Sequence, residues 1–237
     1  PGWPDWTMRT SDPLMSYELP DEGQAPIEFR PSAEAQVVAE GPRDLALVFL
    51  GGSLVAGVGD PKGQGWVTRV VGRTQHPDLE LTAYNLGVRG DTSADVLHRW
   101  TTEVPSRWSG RSERRIVVSV GTNDVLQGIS LARHRRNLAN LLDDAATAGV
   151  GTFVVSPPPT DDADLNSRLE VLVEAQADVC GRRDVPFVDS FTPLAGHDQW
   201  RTDLAASRVA HHPGQAGYGL IAWLVLHHGW GPWLQIS

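Results

Sequence analysis

Five short apolar runs, separated by stretches with helical spacing, predict an α/β domain of the doubly wound kind built on a buried parallel sheet. Two observations carry this. The runs are short and each ends in turn or small residues, as strands do. The segments between them are long enough for the crossover helices that parallel strands require. The length of 237 residues suits one such domain, or one domain with an appendage.

Residues 1–43 read as an irregular N-terminal arm, with Pro at positions 1, 4, 13, 20, 26, 31 and 42 and little periodicity. Trp3 and Trp6 are too apolar for a freely solvated tail, so they are expected to dock on a surface. The domain proper is expected over residues 44–237. Its first strand is 45–50 (LALVFL), followed by a helix over roughly 64–75. Strand two, 79–85 (LELTAYN), leads to a helix near 92–102, and strand three is 115–120 (RIVVSV). The clearest helix follows, with Ser130 as N-cap, Leu131, Leu138, Leu141, Leu142 and Ala145 on its apolar stripe, and Gly149 just past its end. Strand four, 152–156 (TFVVS), a helix over 164–182, strand five, 185–189 (VPFVD), and a last helix over 214–227 complete the set.

Composition excludes several classes of function. With 41 % hydrophobic and 21 % charged residues the chain can build a core, which excludes wholesale disorder. The net charge of −9 and scattered Arg argue against a nucleic-acid partner. No apolar run reaches the length of a membrane span. One cysteine, Cys180, excludes an internal disulfide and a Cys-built zinc site. The absence of a basic-then-apolar leader after Pro1 favours a cytoplasmic address, with a secreted mature form left open.

In a doubly wound sheet, ligands bind at the carboxyl ends of the strands where strand order reverses. The loops to inspect are therefore 51–59, 86–93 and 121–128. The first reads LVFLGGSLVAGVGD, with Ser53 at a sharp strand end. It is neither a G-x-S-x-G elbow nor a dinucleotide or phosphate-cradling loop. Ser53 is a candidate nucleophile, and the plainer reading makes it a turn residue. The third loop, VVSVGTNDVLQG, offers Asn123, whose amide can donate to a developing oxyanion without changing its own charge. Backbone N–H groups of Ser53 and Gly90 complete a three-donor cradle. Alternatively Asn123 only satisfies its own turn. His212, fixed by Pro213 ahead of the last helix, suits a general base. The pairs His211–His212 and His227–His228 are not read as metal ligands, because adjacent residues seldom aim at one ion.

Together, Gly51-Gly52-Ser53-Leu54, residues 85–93 with Gly90, Gly121-Thr122-Asn123-Asp124 and His212-Pro213 resemble the blocks of the SGNH/GDSL hydrolase family. The resemblance runs from residue 45 to the end of the sequence. It implies a flavodoxin-like three-layer α/β/α sandwich with a five-stranded parallel sheet. It further implies Ser53 as nucleophile, His212 as base, an oxyanion hole of Ser53, Gly90 and Asn123, and no metal or organic cofactor. The substrate class it implies is a small-molecule acyl ester or thioester, cleaved or transferred through an acyl-serine.

Two blocks depart from the family's pattern. Gly52 stands where Asp usually precedes the serine, and Val209 stands where Asp usually lies three residues before the histidine. Asp203 or a backbone carbonyl is left to orient His212. Gly52 and Trp200 are expected to line the pocket, with 157–159 (PPP) as a stiff wall. Three outcomes stay open: a Ser–His hydrolase or acyltransferase, a scaffold turned to cyclisation or isomerisation of a bulky metabolite, and a binding module.

Overall fold

The structure, a computed structural model, describes residues 41–236. The expected N-terminal arm, with Trp3 and Trp6, lies outside the described residues except for positions 41–43. Among the described residues five strands form one parallel sheet: β1 (Arg43–Gly51), β2 (Leu79–Gly87), β3 (Glu113–Ser119), β4 (Gly151–Val155) and β5 (Phe187–Val188), in the order β2-β1-β3-β4-β5. Helices cover both faces, giving the three-layer α/β/α sandwich, and a short helix α7 (Thr192–Ala195) follows β5.

The layering follows from the two faces of β1. Residues Leu45 to Gly51 are all buried, which is why this strand reads as an unbroken apolar run. Leu45, Leu47 and Phe49 pack toward α2 (Gly65–Val71), α8 (Asp198–Ala206) and α9 (Gln215–Val225) through Trp66, Trp200 and Tyr218. Val48 and Leu50 point the other way, toward α3 (Ser93–Glu103), α5 (Leu131–Thr147) and the end of α6 (Ala163–Gly181). Each fully buried side chain of this size contributes roughly 1.5–3 kcal/mol.

The helices begin where side chains can serve their free N–H groups. Ser130 accepts from Arg133 N–H, Asp162 from Leu165 N–H, and Thr92 forms a reciprocal capping box with Asp95 at the start of α3. At the other end of α5, Gly149 takes the left-handed φ of +67°. Strand five is shorter than expected, because Pro186 has no N–H for the ladder and only its carbonyl is used, by Val154 N–H. The helix expected over 214–227 stops at Val225, and residues 226–230 form a π-turn broken at His228 and Gly229.

Because β1 lies between β2 and β3, the first crossover leaves toward one edge and the next toward the other. The crevice opens at the ends of β1 and β3, between α1 (Ser53–Ala56) and α4 (Thr122–Leu126).

Candidate active site

Ser53 is separated from β1 by Gly52 alone and is the first residue of α1, with 7 % of its surface exposed. Its Oγ lies 2.7 Å from His212 Nε2. These two residues are 159 positions apart, so the contact is made by the fold and not by local sequence. His212 Nδ1 donates to the carbonyl oxygen of Ala210 at 2.6 Å. That leaves Nε2 as the acceptor facing the serine hydroxyl.

The segment carrying His212 is a tight turn. His212 N–H donates to Val209 O at 3.1 Å, and His211 sits in the left-handed region at φ +62°. Asp161, 2.7 Å from His211 Nδ1, anchors the side chain of that residue. Gly59 presses the turn against the first loop: a Cβ there meets Pro213 O at 2.9 Å and His212 Cβ at 3.1 Å. Its φ of +95° also favours glycine. Burial pushes the His212 imidazole below its ordinary value of 6.5, and the Arg89 charge pushes the same way. The Ala210 carbonyl opposes both.

Asn123 lies in the first turn of α4, and its Nδ2 donates to Asp91 O at 2.8 Å, leaving one amide proton free. Among the described residues, no acceptor takes the backbone N–H of Ser53 or of Gly90. The second loop, which carries Gly90, is held from several sides. Val88 N–H donates to Gly51 O at 2.9 Å, and Gln127 Nε2 donates to Gly90 O at 2.8 Å. Arg99 pairs with Asp91 at 2.6 Å and donates to Leu86 O at 2.7 Å. Ser53, Gly52, Asn123, Gly121, Thr122 and Pro157 line a partly open hollow of about 20 Å³ beside the serine.

Two expected site residues lie elsewhere. Asp203 does not orient His212: its Oδ2 accepts from Gly217 N–H at 2.7 Å and so serves the first turn of α9. The ring is oriented by a main-chain carbonyl instead. Trp200 does not line the pocket: it is 1 % exposed in the core, and its Nε1 donates to Pro159 O at 3.2 Å. An indole gains most from complete burial when its N–H finds a partner, and here it does. Gly52 and Pro157 do line the hollow.

Of the two alternatives the sequence left open for orienting His212, the backbone carbonyl is the one present, and no side-chain signal placed it at Ala210. Sequence reasoning missed a buried polar chain behind the loops, Ser93, Asp124, His134 and Gln176. A signal for that chain was present: His134 falls on the apolar stripe of α5, one turn before Leu138.

The family model for the GDSL-like lipase/acylhydrolase family matches residues 49–220, well over half of the sequence. The chain belongs to the GDSL-like lipase/acylhydrolase family. Among curated relatives of this GDSL-like chain is esterase TesA of Pseudomonas aeruginosa, 30 % identical over 109 residues. The match takes in 46 % of the present chain and 52 % of TesA, so the chain spans about half the length of that relative. Two solved structures are similar in fold over nearly their whole length. A lipase/acylhydrolase from Enterococcus faecalis aligns with a TM-score of 0.64 at 24 % identity, covering 79 % of this chain and 96 % of that one. Axe2, an acetylxylan esterase from Geobacillus stearothermophilus, aligns with a TM-score of 0.62 at 19 % identity, covering 79 % and 94 %.

Proposed function

We propose that this chain is a serine ester hydrolase that works through an acyl-serine at Ser53, with His212 as general base and a short acyl group as its preferred cargo. The observation that carries the reading is the 2.7 Å contact from Ser53 Oγ to His212 Nε2, beside two unclaimed backbone N–H groups and the Asn123 amide. As Oγ attacks the ester carbonyl, His212 Nε2 takes its proton and the carbonyl oxygen becomes an oxyanion. The Ser53 N–H, the Gly90 N–H and Asn123 Nδ2 are the donors for that charge. Collapse expels the alcohol, which takes the proton from His212, and leaves the acyl-serine. A water then attacks the acyl-serine, giving up a proton to His212, and collapse breaks the acyl–Oγ bond and releases the acid as Ser53 Oγ takes that proton back.

The Ala210 carbonyl holds the ring in the tautomer this chemistry needs, a role an Asp carboxylate fills in a triad. It stabilises the imidazolium less than a full negative charge does. A dyad of this kind is therefore expected to be slower than a complete triad. The 20 Å³ hollow beside Ser53 has space for about one water-sized group, which supports an acyl chain as short as acetyl.

The test is hydrolysis of p-nitrophenyl acetate against p-nitrophenyl octanoate, with Ser53→Ala alongside and a fluorophosphonate probe read by intact mass. The expected result is preference for acetate, loss of at least about 10³-fold in Ser53→Ala, and one adduct on Ser53. Turnover unaffected by Ser53→Ala overturns the acyl-serine, and preference for octanoate overturns the short-acyl assignment.

A further inference from the structure

The most unusual feature outside the reacting groups is a chain of polar side chains buried beneath them. Asp124 is fully buried and accepts three hydrogen bonds: from Ser93 N–H at 2.9 Å, from Ser93 Oγ, and from His134 Nδ1 at 2.9 Å. The far ring nitrogen of His134 faces Gln176 Nε2 at 3.1 Å. Gln176 Nε2 also donates to Val120 O at 2.8 Å, and Asn137 Nδ2 donates to Ser93 Oγ at 3.0 Å. His134 and Gln176 are, like Asp124, without solvent exposure.

The anchor points of this chain fall beside the oxyanion donors. Asp124 is the neighbour of Asn123. Ser93 begins α3, three residues after Gly90. Val120 lies between the end of β3 and Gly121. The third loop is thus tied down on both sides of Asn123, and the second loop is tied to the third through Ser93 and Asp124. The bond from Asn123 to Asp91 O spans the same two loops and depends on their spacing.

We infer that Ser93, Asp124, His134 and Gln176 are positioning residues that set the distance between the Gly90 and Asn123 oxyanion donors. This rests on the serine-hydrolase reading for its catalytic consequence. A buried carboxylate with three donors is costly to desolvate, and apolar packing of the same volume fills a core as well or better. What apolar packing does not do is fix two loops to within a few tenths of an ångström. Displacement on the order of 1 Å in a reacting geometry can lower a rate about 10²-fold.

The experiment uses Ser93→Ala, Ser93→Thr, Asp124→Asn and the Ser93→Ala/Asp124→Asn double variant. Each is measured for kcat and KM on p-nitrophenyl acetate, for thermal midpoint, and for amide hydrogen exchange across residues 86–93 and 120–128. The expected result is a kcat lower by about tenfold in Ser93→Ala and about 10²-fold in Asp124→Asn, with KM within about twofold of wild type. The double variant is expected to fall no further than Asp124→Asn alone, and Ser93→Thr is expected to recover most of the lost rate. Exchange in both loops rises while that of β1 and β3 does not. A folded variant with wild-type kcat overturns the inference, as does a loss confined to KM. If Asp124→Asn does not fold, the Ser93 pair decides alone. If the wild-type protein does not cleave the ester, the serine-hydrolase reading is what fails, and unchanged loop exchange in Ser93→Ala then overturns the positioning role separately.

Discussion

Replacing Gly52 with alanine is a one-carbon change whose effect can be worked out from the site. Gly52 has φ −91° and ψ −151°, an extended backbone that alanine adopts, so the backbone itself is not strained. A Cβ at this position lies 2.8 Å from Asn123 Nδ2 and 3.3 Å from Asp91 O. Ordinary contact begins at 3.4 Å, so the amide must retreat by 3.4 − 2.8, or roughly 0.6 Å. Complete loss of one oxyanion donor costs about 2.7–4 kcal/mol of barrier. A displacement of this size is expected to forfeit part of that, lowering kcat about 10- to 100-fold, or roughly 1.4–2.7 kcal/mol. The donor acts on a charge that exists only in the transition state, so KM should hardly change. The assay is steady-state cleavage of p-nitrophenyl acetate, with the thermal midpoint as a check on folding. A folded Gly52→Ala with kcat within threefold of wild type refutes the role given to Asn123. The same contact awaits the first carbon of Gly52→Asp, so restoring the family's usual acid by itself is expected to slow the protein.

Three further outcomes are expected. Asp203→Asn should leave kcat within about threefold and lower stability by about 1 kcal/mol, because it weakens one bond at the start of α9; loss of a triad acid costs on the order of 10⁴ in rate, and a fall of that size would reinstate Asp203 as the acid. Burial holds the His212 imidazole below 6.5, so its neutral, proton-accepting form persists below that pH, and the acid limb of kcat/KM should inflect under 6.5. Arg89→Gln should move that inflection upward, and an inflection above 6.5 in wild type contradicts the assignment. Cys180 is fully buried, with its thiol pushed up to about 12, so a thiol reagent should label it only on unfolding; rapid labelling of native protein would show that the packing between α6 and the sheet is wrong.

How much of this was legible in the sequence depends on whether the signal lay in a side chain. Strand β1 was plain because LALVFLG is buried on both faces, and α5 because its cap, stripe and terminal glycine all agree. Strand five was overextended because the apolar run 185–189 hides what Pro186 removes from the ladder. Helix α8 was missed because it starts on an unusual cap, His197, whose ring nitrogen accepts from Trp200 N–H at 3.4 Å, and because its apolar residues, Trp200 and Leu204, form only a short stripe. At the site, Ser53, Gly90, Asn123 and His212 stood out by their place at strand ends and ahead of a helix. The two wrong assignments, Asp203 and Trp200, came from looking for a side chain to fill a role. Asp203 lies near α9 in space as well as in sequence, but the first turn of that helix claims its carboxylate.

The main-chain oxygen that faces His212 has a consequence for how durable this site is. A carboxylate partner can be neutralised by acid or deleted by a single codon change, and a peptide oxygen can be neither. Side-chain substitution at Ala210 leaves the oxygen in place. Only an alteration of the turn itself, such as His211→Pro, whose ring forbids the φ of +62°, should swing it away. The feature that keeps the ring aligned is therefore written in backbone shape, where a search for a missing acid would pass over it.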